Sequence, residues 1–161
     1  MLQTVKDACQ FDPKAIDYAL SDQIESLEDL VGHEAGAAEA FFKKTYVTSG
    51  MRTLLRQGLQ RLSGVSGQAV FELKQSMGGG KTHSMLAFGY LAANPELVGL
   101  IPREIVQDFT LAKARVVAIS GRSISRDKHL WGDIAEQLGK GEHFLEFYKG
   151  SPQAPNEALS R

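Results

Sequence analysis

The sequence predicts an α/β fold, a parallel sheet with flanking helices, preceded by a helical segment. Three observations predict it. Two short apolar, β-prone runs occur, "QAVFELK" at 68–74 and "ARVVAIS" at 114–120. Each is followed by a loop and then by helical periodicity. Between the first run and its helix lie three glycines and Lys-Thr. Strand, loop, helix, then helix, strand, helix is the order that parallel pairing requires, because parallel neighbours need a crossover. Only two strands are evident, where a doubly wound sheet normally has more.

The elements follow in chain order. Asp12 and Pro13 stand where a helix cap and first helical residue belong, predicting a helix over about 13–20. The acidic stretch from Asp22 reads as a loop or short helical turn, and the alanine-rich stretch predicts a helix from about 35 to 44. In "TSGMRTLLRQGLQRLSG" the residues Met51, Leu54, Leu55, Leu59 and Leu62 share one helical face, with Arg52, Arg56 and Arg61 opposite. Ser63-Gly64 and Ser66-Gly67 stop that helix. "THSMLAFGYLAANP" predicts a helix ending at Asn94-Pro95, with Met85, Leu86, Phe88 and Leu91 as its apolar residues. Pro102 marks another helix start. Leu130, Ile134 and Leu138 are spaced four apart, with Gly139 as the stop. The last stretch, rich in proline and small polar residues, reads as a loop.

Bulk properties exclude several classes. A chain of 161 residues with 43 % hydrophobic residues can bury a core. Eighteen Lys and Arg against 19 Asp and Glu give no global attraction to nucleic acid or an anionic membrane. The lone cysteine, Cys9, rules out an intramolecular disulfide and fits a reducing compartment. No apolar run approaches the roughly 18–20 residues of a membrane span. A cytoplasmic protein without a membrane partner is expected.

The glycine stretch carries the chemistry. In "LKQSMGGGKTHSML" the glycines let consecutive N–H groups converge on one point, and the following helix adds its unsatisfied amides and positive dipole end. This is the arrangement of a phosphate-binding Walker A loop. Ser76, Met77, Gly78, Gly79, Gly80, Lys81, Thr82 and His83 are the candidate nucleotide-binding residues. Lys81 would reach the β- and γ-phosphates of ATP, and the Thr82 hydroxyl would ligate Mg2+. The usual first glycine of the pattern is replaced by Gln75. A glycine-rich turn without a ligand is the plain alternative. His83 orients the loop or senses nucleotide, or else makes a local hydrogen bond in the first helical turn.

With these motifs placed, "FFKKTYVTSGMRTLLRQGLQRL", "AVFELKQSMGGGKTHSMLA" and "VVAISGRSIS" with "LWGDIAEQLG" resemble the domain-of-unknown-function 499 proteins over about residues 40–147. That resemblance implies an AAA-like P-loop ATPase, often encoded among anti-phage defence systems, in which Gly-Gly-Gly-Lys-Thr-His is the phosphate loop. It implies that Gln75 is an ordinary departure there. It also implies that the Walker B strand, an apolar run ending in Asp-Glu, comes later in a much longer chain. "REIVQD" and "ARVVAIS" do not supply one. By analogy with AAA-like ATPases, Tyr46 or Val47 faces the adenine; the alternative is a buried helix start capped by Thr48 or Ser49.

Other residues are weaker candidates. Arg52, Arg56 and Arg61 form either a nucleic-acid strip or a solvated helix face. Arg122 and Ser123 follow the second run, where ligands sit in open parallel sheets. Trp131 is expected in the core, beside Leu130 and Ile134. His33, His129 and His143 have no metal-ligand spacing.

The expected organisation is a helical segment at 1–45, the first half of a P-loop ATPase core at 46–150, and a loop at 151–161 cut off before the Walker B strand. ATP binding is the expected function, with hydrolysis weak or absent in this chain. The chain then reads as the N-terminal fragment of a large ATPase. Expected partners are ATP and the remainder of the ATPase or other defence proteins. The alternatives are a truncated remnant or interaction module completed by a partner chain, and a nucleic-acid-binding accessory domain.

Overall fold

The computed structural model describes residues 26–30, 35–74, 76, 78–121 and 129–142. Four α-helices order them: α1 (Ala35–Lys44), α2 (Ser49–Leu62), α3 (Lys81–Ala93) and α4 (His129–Gln137). Short 3-10 helices occupy Leu27–Leu30, Pro95–Leu100 and Arg103–Ile105. The helix expected near 13–20 and the last loop lie outside the described residues.

Local chemistry sets the helix limits. Lys43 and Lys44 close α1, where cations favour the negative dipole end. Lys43 also reaches Glu39 one turn back, at 2.7 Å. Its hydrogen bond, and then its charge, hold the Glu39 carboxyl below the usual range. At the start of α2 the Thr48 hydroxyl accepts from the Met51 N–H at 3.3 Å, so Thr48 is the cap. The end of α2 is a left-handed glycine stop: Gly64 has φ +76°, its N–H donates to Arg61 O, and the Val65 N–H donates to Gln60 O at 2.9 Å. Gly139 ends α4 the same way, with φ +70° and the Lys140 N–H on Ala135 O at 2.7 Å. α3 ends where Asn94 donates both its backbone and its side-chain N–H to Tyr90 O, and Pro95 follows.

The core lies between α1, α2 and α3. Phe42, Leu55, Leu59, Leu86, Leu91 and Ile105 are among its large buried side chains. α3 is the central helix, with residues buried all round it. α2 buries Met51, Leu55, Gly58 and Leu59, while Leu62 is exposed. Gly58 sits against Phe88 of α3 so closely that a Cβ there would lie 2.6 Å from the ring. Gly89 meets Leu30 at the same distance. Both glycines therefore serve close approach rather than an unusual backbone angle.

Arg52 bonds Glu104, and Arg56 bonds both Asp108 and the Glu104 carbonyl, tying α2 to the chain around Arg103–Ile105. The Glu104 carboxyl is held below the usual range, first by its own backbone N–H. Partial desolvation opposes this shift, and Arg52 adds to it.

The structure overturns the expected α/β class. Among the described residues there is no strand and no sheet; the architecture is helical. The β-prone runs 68–74 and 114–120 form no ladder with each other. A strand exists only when another backbone supplies its partners, and here the available partners are different groups. The Ala114 N–H donates to Ala92 O at the end of α3, at 2.8 Å. The Gln137 side-chain amide takes both backbone groups of Ala118, accepting from its N–H and donating to its carbonyl, each at 2.9 Å. The buried residues of α1, α2 and α3 pack on one another in a single cluster.

Gln137→Leu tests this clasp. It leaves two polar groups of the buried Ala118 without partners, at about 1–3 kcal/mol each if water does not reach them. The expected result is faster hydrogen exchange at the Ala118 amide and an unchanged rate at Ala114, whose acceptor is untouched.

Candidate functional site

The glycine loop precedes α3. The Ser76 carbonyl accepts from the Gly79 N–H at 3.1 Å, which closes a tight turn. Gly78 and Gly80 hold φ of +78° and +73°, in the left-handed region that residues with a Cβ seldom adopt. A Cβ at either would meet nothing within 4 Å, so backbone conformation, and not crowding, requires glycine there. Gly80 is also the N-cap residue of α3, and no side chain caps that end. The Gly80 carbonyl accepts from the Ser84 N–H at 2.9 Å and from its hydroxyl at 2.8 Å, which satisfies the buried Ser84.

Lys81 opens α3 and turns back over the loop. Its Nζ donates to the Ser76 carbonyl at 2.9 Å, the same oxygen that closes the turn. The ammonium thus lies beside the loop's glycines. Thr82 is half-buried in the first turn. Gln75 and Met77 lie outside the described residues.

His83 is tied to a distant part of the chain. Its Nε2 lies 3.1 Å from the Thr45 hydroxyl, 38 residues away, so this bond is not local. Its ring lies over Phe41, with centroids 4.4 Å apart. Nothing in the spacing of "FFKKTYVTSG" marks Thr45 or Phe41 as neighbours of the loop, and the sequence reading missed both.

The remaining candidates separate. Tyr46 is 84 % exposed, whereas Val47 packs against the core. Arg52 and Arg56 spend their charge on the acidic stretch at 104–108, and Arg61 donates to Ser66 O at 3.3 Å. Trp131 is half-buried and Leu130 exposed. Arg122, Ser123, His33, His143 and Cys9 lie outside the described residues. Among the described residues, no group of three His, Cys, Asp or Glu side chains is placed to hold a metal ion. None of the described helices is long and apolar enough to cross a membrane.

These features define a helical domain with a glycine-lysine loop at the start of its central helix. The chain belongs to the DUF499 family: its N-terminal domain model matches residues 14–161, nearly the whole length. No curated protein and no solved structure matches the chain.

Proposed function

We propose that this domain binds ATP with Mg2+ on the loop from Ser76 to Thr82, as the N-terminal portion of a large, defence-associated cytoplasmic ATPase. One observation carries the reading. Left-handed Gly80 leads directly into the uncapped start of a 13-residue helix whose first residue, Lys81, folds back over the loop. The amides of the first turn, the helix dipole and a lysine then converge on one place, which is the chemistry a phosphate needs. The Thr82 hydroxyl would help hold Mg2+ against the nucleotide phosphates. Tyr46, the exposed member of the Tyr46-Val47 pair, is the better candidate for the base. The 161 residues contain no four-residue apolar run ending in Asp-Glu, so hydrolysis by this chain alone is weak or absent in this reading.

Titration of the chain with a fluorescent ATP analogue and Mg2+, with phosphate release read from the same samples, tests it. Saturable binding without turnover is expected. A folded chain that binds no nucleotide overturns the reading.

A second reading has its own observation. Residues 68–74 belong to no helix or strand, Val70 is 80 % exposed, and the backbone of 69–73 makes no backbone-to-backbone hydrogen bond among the described residues. That suits an interaction module completed by a partner chain. Protection of the Val70 and Phe71 amides by a co-purifying polypeptide, with no nucleotide affinity, would favour it.

A further inference from the structure

The Thr45 hydroxyl has one proton to donate. It lies 2.8 Å from the Phe41 carbonyl, which can only accept, so the proton goes there. At 3.1 Å from His83 Nε2 the same oxygen must then be the acceptor, and Nε2 carries a proton. The Thr45 oxygen thus joins two bonds of different reach. One closes the last turn of α1; the other crosses to the first turn of α3.

Aromatic contacts reinforce the junction. The His83 ring lies over Phe41 at 4.4 Å, tilted by 33°, and Phe41 lies 5.2 Å from Tyr90, two turns further along α3. The end of α1 therefore holds α3 at two levels. The upper level falls directly beside the loop: Lys81 and Thr82 precede His83, and Ser84 follows it with both its bonds to Gly80 O. Movement of the imidazole would carry the groups on both sides with it.

We propose that Thr45 is a positioning residue for the glycine loop. Its hydroxyl fixes His83 with the proton on Nε2, and this link sets the direction in which the first turn of α3 presents its amides and Lys81 to a phosphate group. The ligand half of this assignment rests on reading the loop as a phosphate site. The link itself does not.

The test uses the whole chain with Thr45→Val, which keeps the shape and removes the hydroxyl, and Thr45→Ser as the rescue. His83→Phe, which keeps a stacking ring, probes the same bond from its other end should Thr45→Val fail to fold. Three quantities are read: imidazole 15N shifts, hydrogen exchange at the Ser84 amide, and the Kd for ATP with Mg2+. The wild type is expected to show His83 protonated at Nε2. Thr45→Val is expected to alter that signature and to speed exchange at Ser84 but not at Leu91. It is also expected to weaken ATP binding by about three- to tenfold, the range of one lost hydrogen bond. Thr45→Ser should restore all three. Unchanged Ser84 exchange in Thr45→Val overturns the link. Wild-type binding that Thr45→Val leaves intact overturns the positioning role while the phosphate reading stands. Faster Ser84 exchange in a chain whose wild type binds no ATP upholds the link and removes the phosphate reading.

Discussion

Lys81→Ala is expected to weaken the proposed binding of ATP with Mg2+ by roughly ten- to a hundredfold, the loss of one charge-assisted hydrogen bond to a phosphate, about 1.5–3 kcal/mol. The measurement is the fluorescent-nucleotide titration, wild type against variant. The ammonium has two roles that this substitution removes together. It would meet the phosphates, and it bonds the Ser76 carbonyl that closes the loop's turn. The two can be separated. A loop that merely loosens loses affinity for every anion alike. Loss of the direct phosphate contact costs ATP more than it costs inorganic phosphate. Equal Kd values for wild type and Lys81→Ala would mean that the ammonium stays on Ser76 when nucleotide is present and that the loop binds through backbone amides alone.

Leu91→Ala produces the second large effect, on stability. Leu91 is completely buried in the last turn of α3, among residues of the principal core. Removing its branched end costs the transfer energy of the lost groups and leaves a cavity, together about 2–5 kcal/mol. Urea unfolding should show a lower midpoint at an unchanged slope. Met85 supplies the control on the same helix. It is 37 % exposed, so Met85→Ala removes side chain that water already reaches and should move the midpoint far less. Comparable shifts for the two would mean that α3 is not the centre of the core.

Much of the helical architecture was legible because its signals are local. The alanine-rich stretch marked α1, while Asn94-Pro95 stopped α3 and Gly64 and Gly139 stopped α2 and α4, these stops each through bonds within a few residues. The sheet was misread for the complementary reason. Apolar β-prone residues say that a segment can extend, but pairing depends on what lies alongside it. For Ala118 that is a glutamine amide from α4. The arginine strip on α2 was visible as a pattern, yet its partners Glu104 and Asp108 lie about fifty residues away and no spacing rule connects them. The glycine loop stood out because left-handed backbone angles restrict residue choice. The Thr45–His83 bond did not, because either residue alone is ordinary.

The contact between Gly58 and Phe88 has a consequence for relatives of this chain. Exchanging Gly58 for alanine would gain about 1 kcal/mol of helix propensity, so glycine stands here against a local preference. What it avoids is a methyl 2.6 Å from the Phe88 ring. The two positions are thus one decision made in two places. Family members with a side chain at position 58 should carry a smaller residue at 88, and the pair should vary together across an alignment. In this chain Gly58→Ala alone sets helix preference against ring displacement, whereas Gly58→Ala with Phe88→Leu should be less costly than the two single changes added together.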